Sequence, residues 1–330
     1  MTRLTIAEAR TLAERTMQAI GHTADEARII SDHLIDCELR GLSYGGLPRA
    51  LSIVERITKS KRQRTPITVE SRMPVSALVH GGDNVGYLVA LRAMQEAITR
   101  AKQNGVAVVG SNSTWYTGML SYYAERIAQA DLVCMIASNA TPWVAPYGGT
   151  EGRFGTNPIC YGFPSSGGEP VIWDIGTSTI MHAEIVLHNR LGTQLPEGVA
   201  YGPDGKPTRD PAAALKGAIV PWGGAKGSGL AIVVQLLGAM CASPVLPQGM
   251  HDYGCLFVVM SPALLMAPEA FKASVAEYAA AIRGTRPHEG GSPVRMPFER
   301  SAAERRRRTA ADVIEVPDEI HAKLTQVAGA

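Results

Sequence analysis

The sequence predicts a mixed α/β fold in which helical segments from both chain ends pack on a larger region of strands and helices. Three observations lead to this prediction: helix-start signals in the first 60 residues, short β-branched runs in the middle, and helical patterning near the end. Helices do not alternate strictly with strands, so a mixed sheet is expected. We expect residues 1–72 and 284–330 to form the helical domain and residues 73–283 the α/β domain.

Helix-start signals mark the beginning of the chain. Residues 5–8 and 23–26 are capping boxes, in which a hydroxyl and a carboxylate satisfy free amides at a helix start. Gly21 and Gly41 are expected to end these two helices, and a third helix is predicted over residues 48–57. The second helix carries an apolar stripe at helical spacing, which needs a partner surface. The stripe consists of Ala27, Ile30, Leu34 and Cys37.

Short apolar, β-branched runs follow and are typical of strands. They are residues 76–80, a run from 105, 132–138, 159–163, 171–175 and 255–260. Helices are predicted near residues 87–103 and 264–283. Pro317 and Asp318 begin a last short helix, because proline is favoured in a first helical turn. The four arginines at 305–308 are interpreted as a solvated segment before it.

Composition excludes several classes of function. The chain has 330 residues, is 45% hydrophobic and 19% charged, and carries 32 basic against 30 acidic side chains. A net charge of +2 gives no reason to expect nucleic acid or a membrane surface as the main partner. No apolar window approaches the roughly 18 residues that a membrane helix needs, and no signal-peptide pattern opens the chain. A small-molecule function is expected.

Cysteine usage indicates the compartment. The five cysteines are odd in number, widely spaced and set in apolar runs, which predicts buried thiols in a reducing, cytoplasmic environment. Zinc sites use clustered ligands such as CxxC, and the sequence has no such cluster. No metal is therefore expected.

The phosphate-binding loops most often seen in nucleotide enzymes are missing from the sequence. No GxGxxG opens a helix after a strand, and no GxxxxGK[ST] occurs. Glycine-rich turns stand out instead at residues 145–158, 173–179, 201–211 and 221–230. Their glycines let backbone amides approach an anion, and Lys226 adds a charge at a predicted helix start. Each turn alone is equally typical of an ordinary sheet protein.

The order of these turns resembles the type-2 malate/L-lactate dehydrogenase family, which includes ureidoglycolate dehydrogenase, diketogulonate reductase and piperideine-2-carboxylate reductase. The motifs are GTNP at 155–158, DxxTS at 174–178, DGxPTxDP at 204–211 and KGxGL at 226–230. The likeness extends from the Arg-Gly pair at 40–41 to RMPFER at 295–300. It implies a helical domain packed on a non-Rossmann domain that binds NADH or NADPH, and a homodimer.

The resemblance also implies roles for individual residues. Arg49 and Thr156 are expected at the substrate, since the planar fork of arginine can bind a carboxylate through two parallel bonds. An exposed arginine at a helix start is the open alternative for Arg49. The positions expected to contact the cofactor are Ala140, Asn157, Asp174, Ile175, Gly176, Lys226 and Gly227.

Two histidines that the family uses for catalysis are replaced, according to the same resemblance. Gapless matching of the family motif RGxxSHGxxR places Gly45 at the first histidine and Tyr44 at the serine before it. Tyr116 stands at the second. The candidate proton donors become Tyr44, Tyr116, Asp174 and His182. The open alternatives are that both tyrosines only line the pocket and that His182 lies on the surface.

Losing an imidazole affects ketone reduction most. A ketone that accepts a hydride leaves an alkoxide, and a general acid that protonates it contributes about 10²- to 10⁴-fold in rate. A cyclic imine can be protonated in solution before it binds. The segment from His182 to Glu184 and the LPEG at 195–198 also resemble the piperideine and pyrroline-2-carboxylate reductases.

The resulting hypothesis is an NAD(P)H-dependent oxidoreductase that reduces a small 2-imino or 2-oxo carboxylate. Two alternatives remain: a diverged member doing lyase or isomerase chemistry in the same pocket, and an inactive paralogue that only binds. Asp174, Lys226 and the turn at 155–158 are expected to share one cleft.

Overall fold

The computed structural model describes residues 1–329, and within them the chain forms helices, three sheets and two short 3-10 turns. The helices are α1 (Ile6–Ala19), α2 (Ala24–Leu39), α3 (Leu47–Lys59), α4 (Gly86–Asn104), α5 (Ser121–Gln129), α6 (His182–Leu191), α7 (Pro211–Ala214), α8 (Gly224–Met240), α9 (Pro268–Arg283), α10 (Glu299–Ala311) and α11 (Asp318–Val327). The strands are β1 (Thr2–Leu4), β2 (Thr68–Met73), β3 (Ser76–Val85), β4 (Val106–Trp115), β5 (Val133–Ser138), β6 (Ile159–Phe163), β7 (Val171–Ile175), β8 (Ala200–Tyr201), β9 (Ala218–Ile219), β10 (Tyr253–Met260) and β11 (Ile314–Val316). The 3-10 turns are Ser43–Gly45 and Pro262–Leu264.

The central sheet has the strand order β2-β3-β4-β10-β5-β6-β7. Its β3–β4 pair is parallel, and the other neighbouring pairs are antiparallel. The prediction of a mixed α/β fold is therefore confirmed. The parallel pair is joined through α4, which is the kind of crossover that parallel strands require.

Helices cover both faces of this sheet. Val89, Ala93 and Ala97 of α4 and Ile127 of α5 pack on one face and are fully buried. On the other face, Val234 of α8 packs against the sheet. Because both faces are covered, the strands read as continuous apolar runs in the sequence.

The two chain ends meet in a second core. β1 pairs with β11, so Thr2 lies opposite Val316, and α1, α3 and α11 contact one another. The apolar stripe of α2 is buried within the same chain: its four side chains are at most 2% exposed, and Ala27, Ile30 and Leu34 belong to this core. The partner surface that the stripe needs therefore lies within this chain, so the stripe gives no reason to expect a second subunit.

Local sequence signals are matched closely. Both capping boxes form: the hydroxyls of Thr5 and Thr23 accept the backbone N–H of Glu8 and Glu26, and the carboxylates of these glutamates accept the backbone N–H of the threonines. The bounds of β6 and β7 agree with prediction, and α3 begins at Leu47, one residue early.

β2 was not predicted. It straddles the proposed boundary at residues 72 and 73, and the two-domain division stays a prediction.

The arginine run at 305–308 is solvated only in part: Arg306 and Arg307 are exposed, whereas Arg305 and Arg308 are half-buried. The run lies within α10, where Arg305 forms salt bridges with Glu125 at 2.6 Å and Asp36 at 3.2 Å. Within residues 1–329, no helix combines the length and apolar character needed to cross a membrane.

Candidate active site

A cavity of about 860 Å³ lies where the helical part meets the sheet. The α2–α3 turn, the β4–α5 loop, the end of β7, the start of α6 and the segment 295–301 all contribute side chains to it. Eight of the residues expected at the site line this cavity: Tyr44, Arg49, Tyr116, Ala140, Thr156, Asp174, Gly176 and His182.

Asp174 lies near the end of β7, directly opposite Cys160 of β6. Its carboxylate accepts a hydrogen bond from the backbone N–H of Ser121 at 2.7 Å, at the first residue of α5. Burial raises the pKa of Asp174, although the hydrogen bonds from Ser121 oppose the rise. A carboxyl with a raised pKa at the wall of a cavity is a candidate for holding or moving a proton.

Arg49 projects from the first turn of α3. Its guanidinium carbon lies 4.3 Å from the centre of the Tyr116 ring, a cation–π contact. Within residues 1–329, Arg49 makes no salt bridge, whereas the nearby Arg190 pairs with Glu55 at 3.0 Å. The cavity wall therefore holds a cation that is available to an anionic ligand.

Tyr116 has a φ of +53°, in the left-handed region that few side chains favour. Its hydroxyl donates to Sδ of Met250 at 2.9 Å. Burial raises the pKa of Tyr116, and the positive charge of Arg49 opposes that rise. Tyr116 is a weak acid in this setting, so its proton is held firmly near neutral pH.

His182 is the first residue of α6 and stacks on Trp143, with ring centroids 3.7 Å apart and planes 13° apart. Burial and, to a smaller degree, the charge of Arg49 lower the pKa of His182 to about 3. The imidazole is therefore neutral at physiological pH. His182 lies in the cavity wall and is therefore not the surface histidine of the alternative interpretation.

Tyr44 lies on the 3-10 turn between α2 and α3. Burial raises the pKa of its hydroxyl, and the nearby Cys37 and Asp174 raise it further. At the neighbouring Gly45, an added Cβ would lie 3.2 Å from Sγ of Cys37. Side chains larger than glycine fit there only if Cys37 shifts.

Four of the residues expected at the cofactor do not line the cavity. Asn157 is fully buried, and its amide donates to the Ala231 carbonyl at 2.7 Å and to Gln235 at 2.9 Å, linking its turn to α8. Ile175 also lies outside the lining. Lys226 and Gly227 are in the first turn of α8, where Lys226 is exposed.

The expected shared cleft is therefore formed only in part. Asp174 lines the cavity together with Thr156 and Pro158 of the predicted turn, whereas Lys226 does not. The cofactor roles inferred for Asn157, Ile175, Lys226 and Gly227 stay predictions from the resemblance.

Sequence reasoning missed several lining residues. They are Cys37, Tyr87, Trp143, Tyr253, Arg295, Phe298 and Arg300. Of these residues, only those in the RMPFER segment at 295–300 could have been found from the sequence, because that segment marks the end of the family resemblance. The aromatic residues lie on separate elements and share no spacing in the sequence.

Arg295 and Arg300 also line a shallow depression next to the cavity. Both side chains are exposed, and within residues 1–329 neither forms a salt bridge. Unpaired guanidinium groups suit phosphate oxygens. The volume of the cavity lies within the usual range for small-molecule sites, and its aromatic walls and these cations suit an anionic ligand. The described residues contain no group of three His, Cys, Asp or Glu side chains placed to hold a metal ion.

A mixed sheet packed on a helical part, with an aromatic and cationic cavity at the junction, defines a small-molecule enzyme outside the Rossmann class. The sequence matches the malate/L-lactate dehydrogenase family over residues 4–325, and the chain belongs to that family.

Individual relatives agree with this assignment. A (2R)-3-sulfolactate dehydrogenase (NADP⁺) from Chromohalobacter salexigens is 33% identical over 239 residues, covering 72% of this chain and 71% of the relative. A Δ1-pyrroline-2-carboxylate/Δ1-piperideine-2-carboxylate reductase from Pseudomonas aeruginosa is 30% identical over 336 residues, covering 98% of each chain. The crystal structure of a dehydrogenase from Sinorhizobium meliloti superposes with a TM-score of 0.92 at 31% identity, covering 99% of this chain and 98% of the other.

Proposed function

We propose that this chain is an NAD(P)H-dependent oxidoreductase that reduces a small 2-imino or 2-oxo carboxylate. The observation that carries the proposal is Arg49, a cation in an aromatic cavity with no acidic partner within residues 1–329. Such a group favours a ligand with a carboxylate. Membership of the family supports redox chemistry, and the names of the sulfolactate and pyrroline-2-carboxylate relatives support small carboxylate substrates.

The bound cofactor would supply the hydride. Arg295 and Arg300 would hold its phosphates, and Asp174 and Gly176 would contact the nicotinamide end. Ala140 and Thr156 would complete the wall between cofactor and substrate. Either NADH or NADPH is compatible with these groups.

The proton supply favours an imine over a ketone. A ketone needs a proton at its oxygen after hydride transfer. The cavity offers His182, whose pKa is about 3, tyrosines whose pKa values are raised by burial, and Asp174, whose carboxylate already accepts the Ser121 N–H. A cyclic imine can be protonated in solution before it binds. Its positive charge then lies in a cavity that contains the carboxyl group of Asp174 and the faces of aromatic rings.

A comparison of substrates tests this proposal. Reduction of Δ1-pyrroline-2-carboxylate should exceed that of 2-oxopentanoate, which has the same number of carbons, by about 10²- to 10⁴-fold, the usual contribution of a general acid. The measurement is the initial rate of NADH or NADPH oxidation with each compound. Equal rates would show that Tyr44, Tyr116, Asp174 or His182 already delivers the proton.

Cofactor binding separates the redox proposal from its two alternatives. The proposal requires a saturable change in fluorescence when NADH or NADPH is titrated into the protein. A lyase, an isomerase or a binding paralogue has no such requirement. Failure of both titrations would reject the redox function.

A homodimer in the cytoplasm belongs to the same proposal. The resemblance implies the dimer, and the exposed apolar side of α8 supports it: Ile232, Val233, Leu236 and Met240 are 48–63% exposed. All five cysteines are free, buried thiols, which supports a reducing compartment.

A further inference from the structure

Tyr87 is a cavity residue that no sequence motif identified. It is the second residue of α4, lines the cavity and is 2% exposed. Its ring lies 4.6 Å from the ring of His33, centroid to centroid. A Cβ placed on Gly118 would lie 2.5 Å from the Tyr87 ring, so that glycine is required for the contact. The ring is therefore held firmly from two sides.

The hydroxyl of Tyr87 has no hydrogen-bond partner within residues 1–329, and Arg49, Cys37 and Tyr116 line the same cavity. Other buried tyrosines nearby do have partners. The hydroxyl of Tyr123 donates to the Thr117 carbonyl at 2.8 Å, and that of Tyr253 lies 2.9 Å from the Thr141 hydroxyl. The Tyr87 hydroxyl is not among the fully buried side-chain atoms of the described residues that lack a partner, so it is open to the cavity. An unpaired hydroxyl at a cavity wall points to a ligand.

We propose that Tyr87 is a substrate-binding residue whose hydroxyl donates a hydrogen bond to the carboxylate held by Arg49. This inference rests on the proposed function. An ionised carboxylate offers about four acceptor sites, and a bidentate arginine uses two of them. Burial raises the pKa of Tyr87 well above its ordinary value, so the phenol keeps its proton and remains a donor.

The test uses Tyr87→Phe, which keeps the ring and its contacts with His33 and Gly118. A hydrogen bond to a charged group contributes about 1.5–3 kcal/mol, so KM for Δ1-pyrroline-2-carboxylate should rise about 10- to 100-fold while kcat stays within about threefold. Calorimetric titration of the cofactor-loaded protein with pyrrole-2-carboxylate, a planar analogue that is not reduced, should show the same loss of affinity. Affinity for the cofactor alone should not change.

Tyr122→Phe is the matched control. The ring of Tyr122 packs on the same His33 at 4.3 Å, but its hydroxyl donates to Asp32 at 2.6 Å. This change should leave KM and the affinity for pyrrole-2-carboxylate unaltered. A matching loss in Tyr122→Phe would mean that disturbed packing around His33 causes the effect, and would overturn the inference.

The remaining outcomes are also decisive. Unchanged binding and turnover in Tyr87→Phe would overturn the inference. A fall in kcat with unchanged KM would place the hydroxyl at the reacting atom and overturn the carboxylate assignment. If the unmodified protein reduces neither substrate, the proposed function fails, but calorimetry still tests the role of Tyr87. Weaker binding of pyrrole-2-carboxylate by Tyr87→Phe than by the unmodified protein supports that role. Absence of binding by both proteins overturns it.

Discussion

Glu38 shows how a single buried residue shapes the turn that carries Tyr44. Its side chain is 1% exposed, and Oε1 accepts the backbone N–H of Leu47 at 2.7 Å, at the first residue of α3. A Cβ on Gly46 would lie 2.2 Å from Oε1, so only glycine fits beside this carboxyl. The second oxygen, Oε2, is buried without a hydrogen-bond partner in residues 1–329. Burial raises the pKa of Glu38 to about 7, although the hydrogen bond from Leu47 opposes the rise.

Replacing Glu38 tests this pKa through stability. When burial raises the pKa of an acid, the folded protein loses stability as the pH increases from the ordinary pKa, near 4.5, to the folded-state pKa, here about 7. Charging the carboxyl then costs at most roughly 3 kcal/mol. Glu38→Gln should therefore raise the free energy of unfolding at pH 8 by up to that amount and change it little at pH 4.5.

Urea unfolding at both pH values measures the effect. The exposed Glu277 provides the control, since Glu277→Gln should be neutral at both. An equal shift for Glu38→Gln at pH 4.5 and pH 8 would argue that the carboxyl stays in one protonation state.

Introducing an imidazole at Tyr116 tests the substrate preference. Tyr116 has a positive φ, a conformation that histidine adopts more readily than most residues. Tyr116→His should raise turnover of 2-oxopentanoate at least about tenfold, within the range of a general acid, and change imine turnover much less. The ratio of the two kcat values is the measurement. Gly45→His is the poorer choice because its Cβ would press on Cys37.

Tyr116→Phe is the control for this change, because it removes the hydroxyl without adding an imidazole. It should leave the ratio near that of the unmodified protein. A parallel gain for both substrates in Tyr116→His would refute a proton-donor explanation.

At the scale of elements, α10 is fixed to α2 and α5 by a buried charge cluster. Arg40 pairs with Asp36 at 2.8 Å and with Glu125 at 2.6 Å, and Arg305 of α10 pairs with the same two acids. The guanidinium of Arg40 also lies 4.4 Å from the centre of the Phe298 ring, which lines the cavity. The cluster therefore links the C-terminal segment to the cavity wall.

Removing Arg305 should show how strongly the cluster holds α10. Arg305→Ala leaves two acids to share Arg40. Because the Arg305 side chain is 31% exposed, the expected loss is roughly 2 kcal/mol, between the cost of an exposed pair and that of a fully buried one. Arg307→Ala, on the same helix, removes only an exposed pair with Glu304 and should cost at most about 1 kcal/mol. Chemical denaturation gives both values. Equal losses for the two variants would contradict a special role for the cluster.

For the whole molecule, the exposed apolar side of α8 is the surface to test for the proposed dimer. An unpaired apolar face of this kind usually marks an interaction surface. Leu236→Lys places a charge at its centre and should shift the protein to a monomer at micromolar concentration, as measured by light scattering. Tyr278→Lys, on exposed α9, should leave the association unchanged. A monomeric unmodified protein would remove the dimer from the proposal.

The sequence by itself determined the features that depend on neighbouring residues. The capping boxes at Thr5 and Thr23 formed as predicted, because a cap is a contact across three residues. The bounds of β6 and β7 followed from β-branched runs with clear ends. Ordered motifs gave the family, and they also named Tyr44, Arg49, Asp174 and His182, which the fold brings to one cavity.

Only the tertiary structure decided which distant residues join that cavity. Tyr87 and Phe298 line it although they are far apart in the chain, and Arg305, expected in a solvated segment, is a half-buried partner of Glu125. Lys226, which was expected to contact the cofactor, lies outside the cavity lining. Local patterns record which side of an element is apolar. They do not record which other element covers that side, because this choice depends on packing and charge pairing between segments far apart in sequence.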